Sequence, residues 1–317
     1  MPESRLAQLA TSPLLQNYAI TASQKAIRPV GSFIAPICEV PDITFRYKKY
    51  TEANRYRVPN TKRQPGSKAT VLGFSGDDAS LTLEPNALDF PIPNVDQLSD
   101  EGQQFAIMEA QSVLADSSAL ALESEIVSTA QTSALASGLT KAVDFTDDGV
   151  DPIAILDDLI LAVAKASKNG APVKILFGTT KFKQFRNNAK VKSRYIVAAG
   201  GGAGGKSSLG TVSPTIEDIG GLLITNPEVQ LSMMVIDAGA AGTSEKIQFL
   251  LDSIVIVFAS NSTPNRMDPS FMKTFARMGG FFRSGSYTTE DQRDQVLKMD
   301  WTTLPVVTNS AAVGAIK

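Results

Sequence analysis

A helical run at residues 96–137 constrains this chain more than any other feature of its sequence. Its body is rich in Ala, Gln, Glu and Leu, which sit well in a helix. Asp96 or Ser99 can cap it, and Asp100 and Glu101 fall in the first turn, where the helix dipole favours anions. Gly138 stands where a left-handed residue would end it. At 1.5 Å per residue, about 37 helical residues span roughly 55 Å. Helices in globular proteins average about 11–12 residues, so a rod of this length crosses a flat or elongated molecule or joins a coiled coil. Phe105, Met108, Leu114, Leu122 and Ile126 offer a buried stripe. Their spacing is not a heptad repeat, which favours a spine over a coiled coil.

Charge is segregated around this run. Residues 46–68 hold eight basic side chains, among them Arg55, Arg57, Lys62, Arg63 and Lys68, against the single acid Glu52. Residues 69–140 hold no Lys or Arg and eleven acids, including Glu84, Asp89, Glu109 and Asp116. A charge run is often only a solvated face. Adjacent blocks of opposite sign also allow the basic block of one copy to lie across the acidic block of another, where complementarity fixes register.

Composition removes several classes of function. With no histidine, a Ser-His-Asp triad, a His-ligated zinc site and an imidazole acid/base are excluded. Cys38 is the only cysteine, so no intrachain disulfide or Cys-rich metal site can form. A net charge of −2 argues against a generally basic nucleic-acid binder. No apolar run reaches the ~20 residues that span a bilayer, and the N-terminus lacks the pattern of a secretory signal. These features predict a protein of a reducing, soluble compartment.

Residues 1–40 read as an extended arm with one short helix near Ser23–Ile27. Residues 42–50 and 69–75 read as strands flanking a long polar loop, a hairpin with a basic tip, and 79–84 offers another strand. A lone hairpin is marginal in water, so it needs a surface to lie on. Asp151 and Pro152 open a second helix, which Asn169-Gly170 ends. The strand 173–178, a short helix near 180–188, the apolar segment 194–200 and a helix after Ser213-Pro214 come next. Strands at 222–225, 231–237, 246–251 and 253–260 then predict an α/β unit over about 150–260. Residues 270–277 alternate weakly, and 296–307 read as the final strand.

Three enzyme-like signals compete with plainer readings. Gly200–Ser207 (GGGAGGKS) matches the phosphate-binding loop pattern, and Asp237 ends a strand as a magnesium-holding acid does. That mechanism needs a helix beginning at Lys206-Ser207. Gly210 and Pro214 leave no room for one, so a Gly-rich surface loop explains the run better. The pairs Asp77-Asp78, Asp147-Asp148 and Asp157-Asp158 suggest turns and a solvated helix face rather than a convergent acid/base pair. Cys38 follows FIAPI and reads as packed. Tyr47, Tyr50 and Tyr56 among basic residues allow single-stranded nucleic acid, which the acidic neighbouring segment disfavours.

The ordered set of segments resembles the major capsid proteins of tailed bacteriophages, whose fold is named after phage HK97. The matching pieces are GSFIAPICEVPDI (31–43), FRYKKY (45–50), the turn Arg63-Gln64-Pro65-Gly66, ATVLGF (69–74), the spine helix, and VKILFG (173–178). PTIED (214–218), LLITNPEV (222–229) and the closing IVIVFAS, DPSFMKTFAR and VLKMDWTTLPVV complete it. The resemblance implies an α+β capsid fold in five parts: arm (1–40), hairpin with peripheral strands (41–95), spine helix and peripheral domain (96–145), axial α/β domain (146–265) and return (266–317). It implies a non-enzymatic shell protein without cofactor, catalytic residue or metal. Hexamers and pentamers would build an icosahedral head around double-stranded DNA, in the virion capsid, after assembly in the bacterial cytoplasm. Portal, a separate scaffolding protein and a decoration protein are the implied partners, with no membrane. Arg55, Arg57, Lys62, Arg63 and Lys68 are expected to face Glu84, Asp89, Glu109 or Asp116 of a neighbour. An encapsulin-type shell is the near alternative, and a P-loop nucleotidase using Gly200–Ser207 is the alternative of a different class.

Overall fold

A computed structural model describes residues 30–49, 58, 61–62, 68, 77–93, 100–168, 170–198, 213–239, 244–278, 282–290 and 294–317. In chain order the first elements are α1 (Gly31–Ile34), β1 (Ile37–Val40), β2 (Thr44–Lys49), β3 (Asp77–Thr82), β4 (Glu84–Pro93) and α2 (Asp100–Ala136). Next come α3 (Pro152–Ala166), β5 (Val173–Phe177), α4 (Thr179–Asn187), α5 (Ala189–Ala198), α6 (Ile216–Leu222) and β6 (Glu228–Leu231). The chain closes with β7 (Val235–Asp237), β8 (Ile247–Phe249), β9 (Val255–Ala259), β10 (Met272–Arg277), β11 (Arg283–Thr288), β12 (Asp294–Val307) and β13 (Val313–Ile316).

Two sheets carry two cores. The first is built on β12, fourteen residues long. Along one edge of β12 runs antiparallel β4; the other edge is shared end to end by β11 and β10, both antiparallel, and β1 adds parallel to β10. Alternation selects the buried face: Leu88, Phe90, Ile92, Leu297 and Met299 pack against Ile107, Ala110 and Leu114 of α2. The second sheet has the order β13-β9-β5-β6, with β5 and β6 parallel and the other pairs antiparallel. All five residues of β9 are buried, as a strand covered on both faces must be. Ile153, Leu156, Ile160 and Val163 of α3 join that core. Each fully buried aliphatic side chain contributes roughly 1.5–3 kcal/mol. Asp151 caps α3 through the Ala154 N–H, with Pro152 at the first turn. A side chain at Gly178 would lie 2.3 Å from the Asp252 carbonyl oxygen, so only glycine fits between β5 and α4.

The spine α2 joins the two cores by changing its buried side. Its first half buries Ile107, Ala110, Leu114 and Ala115 on the first sheet. Its second half buries Leu122, Ile126, Val127, Ala130 and Ala134 in the larger core, together with Val30, Phe33 and Ile34. The expected single stripe is therefore corrected: Phe105 and Met108 are 71 % and 51 % exposed. The helix end also differs from expectation. The φ of Gly138 is not in the left-handed range. Instead the Thr140 hydroxyl donates to the Ala134 carbonyl at 2.7 Å, and the Ser137 hydroxyl donates to the Val313 carbonyl at 2.7 Å.

Three element readings change as well. Much of the apolar segment at 194–200 is helical, the second half of α5. Residues 222–225 are not a strand; α6 ends there, and Thr225 and Asn226 take positive φ of 70° and 46° to turn into β6. The strand ending at Val307 is not the last, because β13 follows and is wholly buried beside β9. The readings at Ser23–Ile27, 51–57 and 69–75 lie outside the described residues.

Candidate assembly surfaces

The hairpin base is the best-positioned part of the basic block. In β2, Phe45 and Tyr47 point inward, with ring centroids 4.7 and 5.7 Å from that of Phe275 in β10. Cys38, Val40 and Leu83 complete this small cluster. Arg46 points outward, as alternation requires. The base thus rests on its own sheet, and β3 (Asp77–Thr82) runs antiparallel beside β2. Beyond Lys49, Val58 is 91 % exposed, and Lys62 and Lys68 are exposed. Arg55, Arg57 and Arg63 lie outside the described residues.

The four candidate acids are not on one surface. Leu88, Phe90 and Ile92 face α2, so Asp89 projects from the opposite face of the sheet. There it accepts the Tyr287 hydroxyl at 2.8 Å and stands opposite Lys298, which pairs with Asp300 at 3.2 Å. Glu109 is exposed on α2, on the other side of the layer, and Asp116 is half-buried there. Glu84 begins β4 near the spine; burial, then the Glu84 charge, push the Glu125 carboxyl up. One flat partner cannot meet Asp89 and Glu109 together.

The residue that sequence reasoning missed is Glu123. It counted as one of eleven surface acids, yet it is buried. Its Oε1 accepts the N–H groups of Val30 and Gly31, the latter at 2.6 Å. Burial pushes this carboxyl up, and the two N–H donors pull it partly back. A Cβ at Gly31 would sit 2.4 Å from Glu123 Oε2, so glycine is needed for this close approach. The available signal was helical spacing, which puts Glu123 on the same side as Ile126 and Val127, three and four residues on. Lys273 is likewise buried in β10; its ammonium donates to the Asn265 carbonyl at 2.7 Å, and burial pushes its pKa down.

The acids that suggested enzyme chemistry accept backbone N–H groups of nearby turns and helices. Asp237 ends a three-residue strand that, among the described residues, pairs with β8 and lies outside both large sheets. Its Oδ1 accepts the N–H groups of Gly239 and Lys246, each at 2.8 Å, so it holds a turn. Gly200–Ser207 lies outside the described residues. Asp147 accepts the Gly149 N–H at 2.8 Å and Asp148 the Ala189 N–H at 3.3 Å. Asp157, expected on a solvated face, accepts the Ile224 N–H at 2.9 Å. Cys38 is buried, which pushes its thiol up and away from reactivity. Among the described residues no cluster of three or more Cys, Asp or Glu could hold a metal, and no helix is long and apolar enough to cross a membrane.

No family model matches the chain, and no curated protein matches it. Solved structures do. A phage-related protein from Bordetella bronchiseptica is 15% identical with a TM-score of 0.67, covering 97% of each chain. A Mycobacterium phage Cain structure is 13% identical with a TM-score of 0.52, over 100% of this chain and 98% of that one. The holo-SrpI encapsulin complex from Synechococcus elongatus is 11% identical with a TM-score of 0.50, over 89% and 84%. The chain has the α+β capsid-type fold found in phage capsids and encapsulin. The expected likeness to tailed-phage capsid proteins holds at the level of the fold.

Proposed function

We propose that this chain is the major capsid protein of a tailed phage, a structural, non-enzymatic protein that assembles into an icosahedral head around double-stranded DNA. The observation that carries this reading is the end-to-end likeness of fold, over 97% of the chain, to a phage-related protein. Two features of the chain support it. The basic segment 46–68 starts in β2, where Tyr47 packs with Phe45 on the chain's own sheet. The spine locks two separate cores into one extended unit. The five-part division at 1–40, 41–95, 96–145, 146–265 and 266–317 is part of the proposal, with the α/β unit at the capsomer centre.

Arg55, Arg57, Lys62, Arg63 and Lys68 of one copy then meet acids of the next. Because Asp89 and Glu109 are on opposite sides of the layer, the sheet face with Asp89 and Asp300 is the one assigned to the hairpin. Exposed pairs contribute only about 0–1 kcal/mol each, which lets misplaced subunits leave before closure. A near-neutral net charge of −2 suits a shell that confines DNA without gripping its sequence. Scaffolding, portal and decoration proteins are proposed partners, and the virion is the proposed location.

Electron microscopy of the purified protein tests this. Closed particles of uniform size are expected; a monodisperse monomer at high concentration overturns the reading. The encapsulin likeness supports a second reading, a shell that holds protein cargo. Nucleic acid or protein recovered from purified particles separates the two.

A further inference from the structure

The small ribbon of β7 and β8 has one exposed apolar face. Its register sets Val235 opposite Phe249 and Asp237 opposite Ile247, so alternation puts these four side chains on the same face. Val235, Phe249 and Ile247 are 42 %, 39 % and 65 % exposed there, and Met233, two residues before Val235, is 50 % exposed. The other face is anchored to the body, with Met234 buried and Ile236 half-buried. Asp237 stiffens the ribbon through the Gly239 and Lys246 N–H groups. A contiguous apolar face held in place in this way marks an interaction site.

A cleft of about 620 Å³ lies at the opposite end of the four-stranded sheet, with Ile160, Leu161, Ala164, Pro172, Val173 and Pro227 as its apolar walls. The register fixes the two positions. Val173, Lys174 and Glu228 of the cleft stand at the starts of β5 and β6. The ribbon follows the end of β6 at Leu231 and leads to the start of β9 at Val255, which pairs with Phe177 at the end of β5. The five residues of β5 hold the two ends about 16 Å apart. The ribbon of a chain therefore does not meet the cleft of the same chain.

We propose that the β7–β8 ribbon of one copy seats in this cleft of the next copy, head to tail. The proposal rests on the shell reading and names the contact within one ring of subunits. A second copy is the occupant because it brings the matching part, an apolar knob for an apolar cleft. Charge agrees with the fit. Lys174 and Glu228 in the cleft pair with each other at 3.0 Å. That leaves exposed Lys165, one turn beyond Leu161, to meet exposed Asp237 and Glu245, which outnumber Lys246 on the ribbon. The same contact covers Leu161, 43 % exposed in the single chain. A contact between two different surfaces repeats in one direction and closes into a ring where the rotation fits.

Sedimentation velocity of the full-length chain in 1 M salt, where exposed ion pairs are screened, tests this with two variants. Ile247→Asp spoils the ribbon and Leu161→Asp spoils the cleft. Both positions are exposed, so the circular dichroism spectrum is expected to stay that of the natural chain. Where Leu161→Asp unfolds the chain, Ala164→Asp takes its place. The natural chain is expected to form rings, and each variant alone to associate at least about tenfold more weakly, as loss of one buried aliphatic contact does. Mixed in equal amounts, the two variants are expected to form one-to-one pairs and to stop there, because one intact ribbon and one intact cleft remain to meet. A mixture that stays monomeric where the natural chain forms rings overturns the proposal. So does a variant that associates as the natural chain does. Closed particles from a chain carrying both substitutions also overturn it and leave the shell reading standing. Pairs restored by mixing support it even where no shell closes.

Discussion

At the scale of single residues, Glu123 shows how one side chain ties two segments 92 positions apart. Removing it leaves the Val30 and Gly31 donors buried and unpaired, which costs about 1–3 kcal/mol each in the worst case. Glu123→Ala is expected to lower the urea midpoint clearly. Glu123→Gln keeps an acceptor and removes the charge. Burial raises the folded pKa of Glu123, so its stabilising contribution is fully present below the unfolded pKa and is lost as pH rises through the folded one. The stability of Glu123→Gln relative to the natural chain is therefore expected to increase from pH 4 to pH 7. An unchanged difference across that range means the carboxyl is not shifted upward. Thr225 offers the opposite case: a β-branched residue held at φ 70° on an exposed turn. Thr225→Gly is expected to stabilise the chain by about 1 kcal/mol, because the left-handed strain outweighs the added backbone freedom. A lower denaturation midpoint in that variant refutes the strain argument.

At the scale of elements, the hairpin and β4 manage opposite problems. Pro85, Pro91 and Pro93 all sit at odd positions of β4, so they point to one edge. Proline cannot donate, so that edge is the one turned away from β12, and it is closed to a further strand. Assembly through β4 must then use side chains, and the polar face with Asp89 supplies them. Reversing Arg55, Arg57 and Arg63 to Glu is expected to block particle formation while the circular dichroism spectrum of the subunit stays unchanged. Asp89→Lys is expected to weaken assembly, and Glu109→Lys, on the far side of the layer, to leave hairpin contact intact. Normal particles from the triple reversal remove the charge-complementarity argument. The spine itself was readable as a helix at 96–137 against the observed Asp100–Ala136. Its buried stripe was not, because a helix that packs on two bodies in turn has no single apolar face to detect.

At the scale of the whole molecule, two cores are held by one rod, and Lys62 and Lys68 of the basic segment are exposed. Contacts between copies that rest on exposed ion pairs weaken with salt, since the screening length falls from about 10 Å at 0.1 M to about 3 Å at 1 M. Particle yield is therefore expected to fall as salt rises from 0.1 to 1 M, measured by sedimentation. A salt-independent yield indicates that apolar surface dominates the contact instead.

The spine, the first strand of the hairpin base and the capped helix at Asp151 were written in the sequence, because capping, alternation and helix-forming composition act between neighbours in the chain. The exclusion of imidazole and disulfide chemistry was equally local, a matter of residues absent or single. The burial of Glu123, the exposure of Phe105 and Met108, and the placing of Asp89 and Glu109 on opposite faces were decided only by the tertiary structure. Each depends on which body packs against which side of one helix or sheet, and that contact is made by residues far apart in sequence.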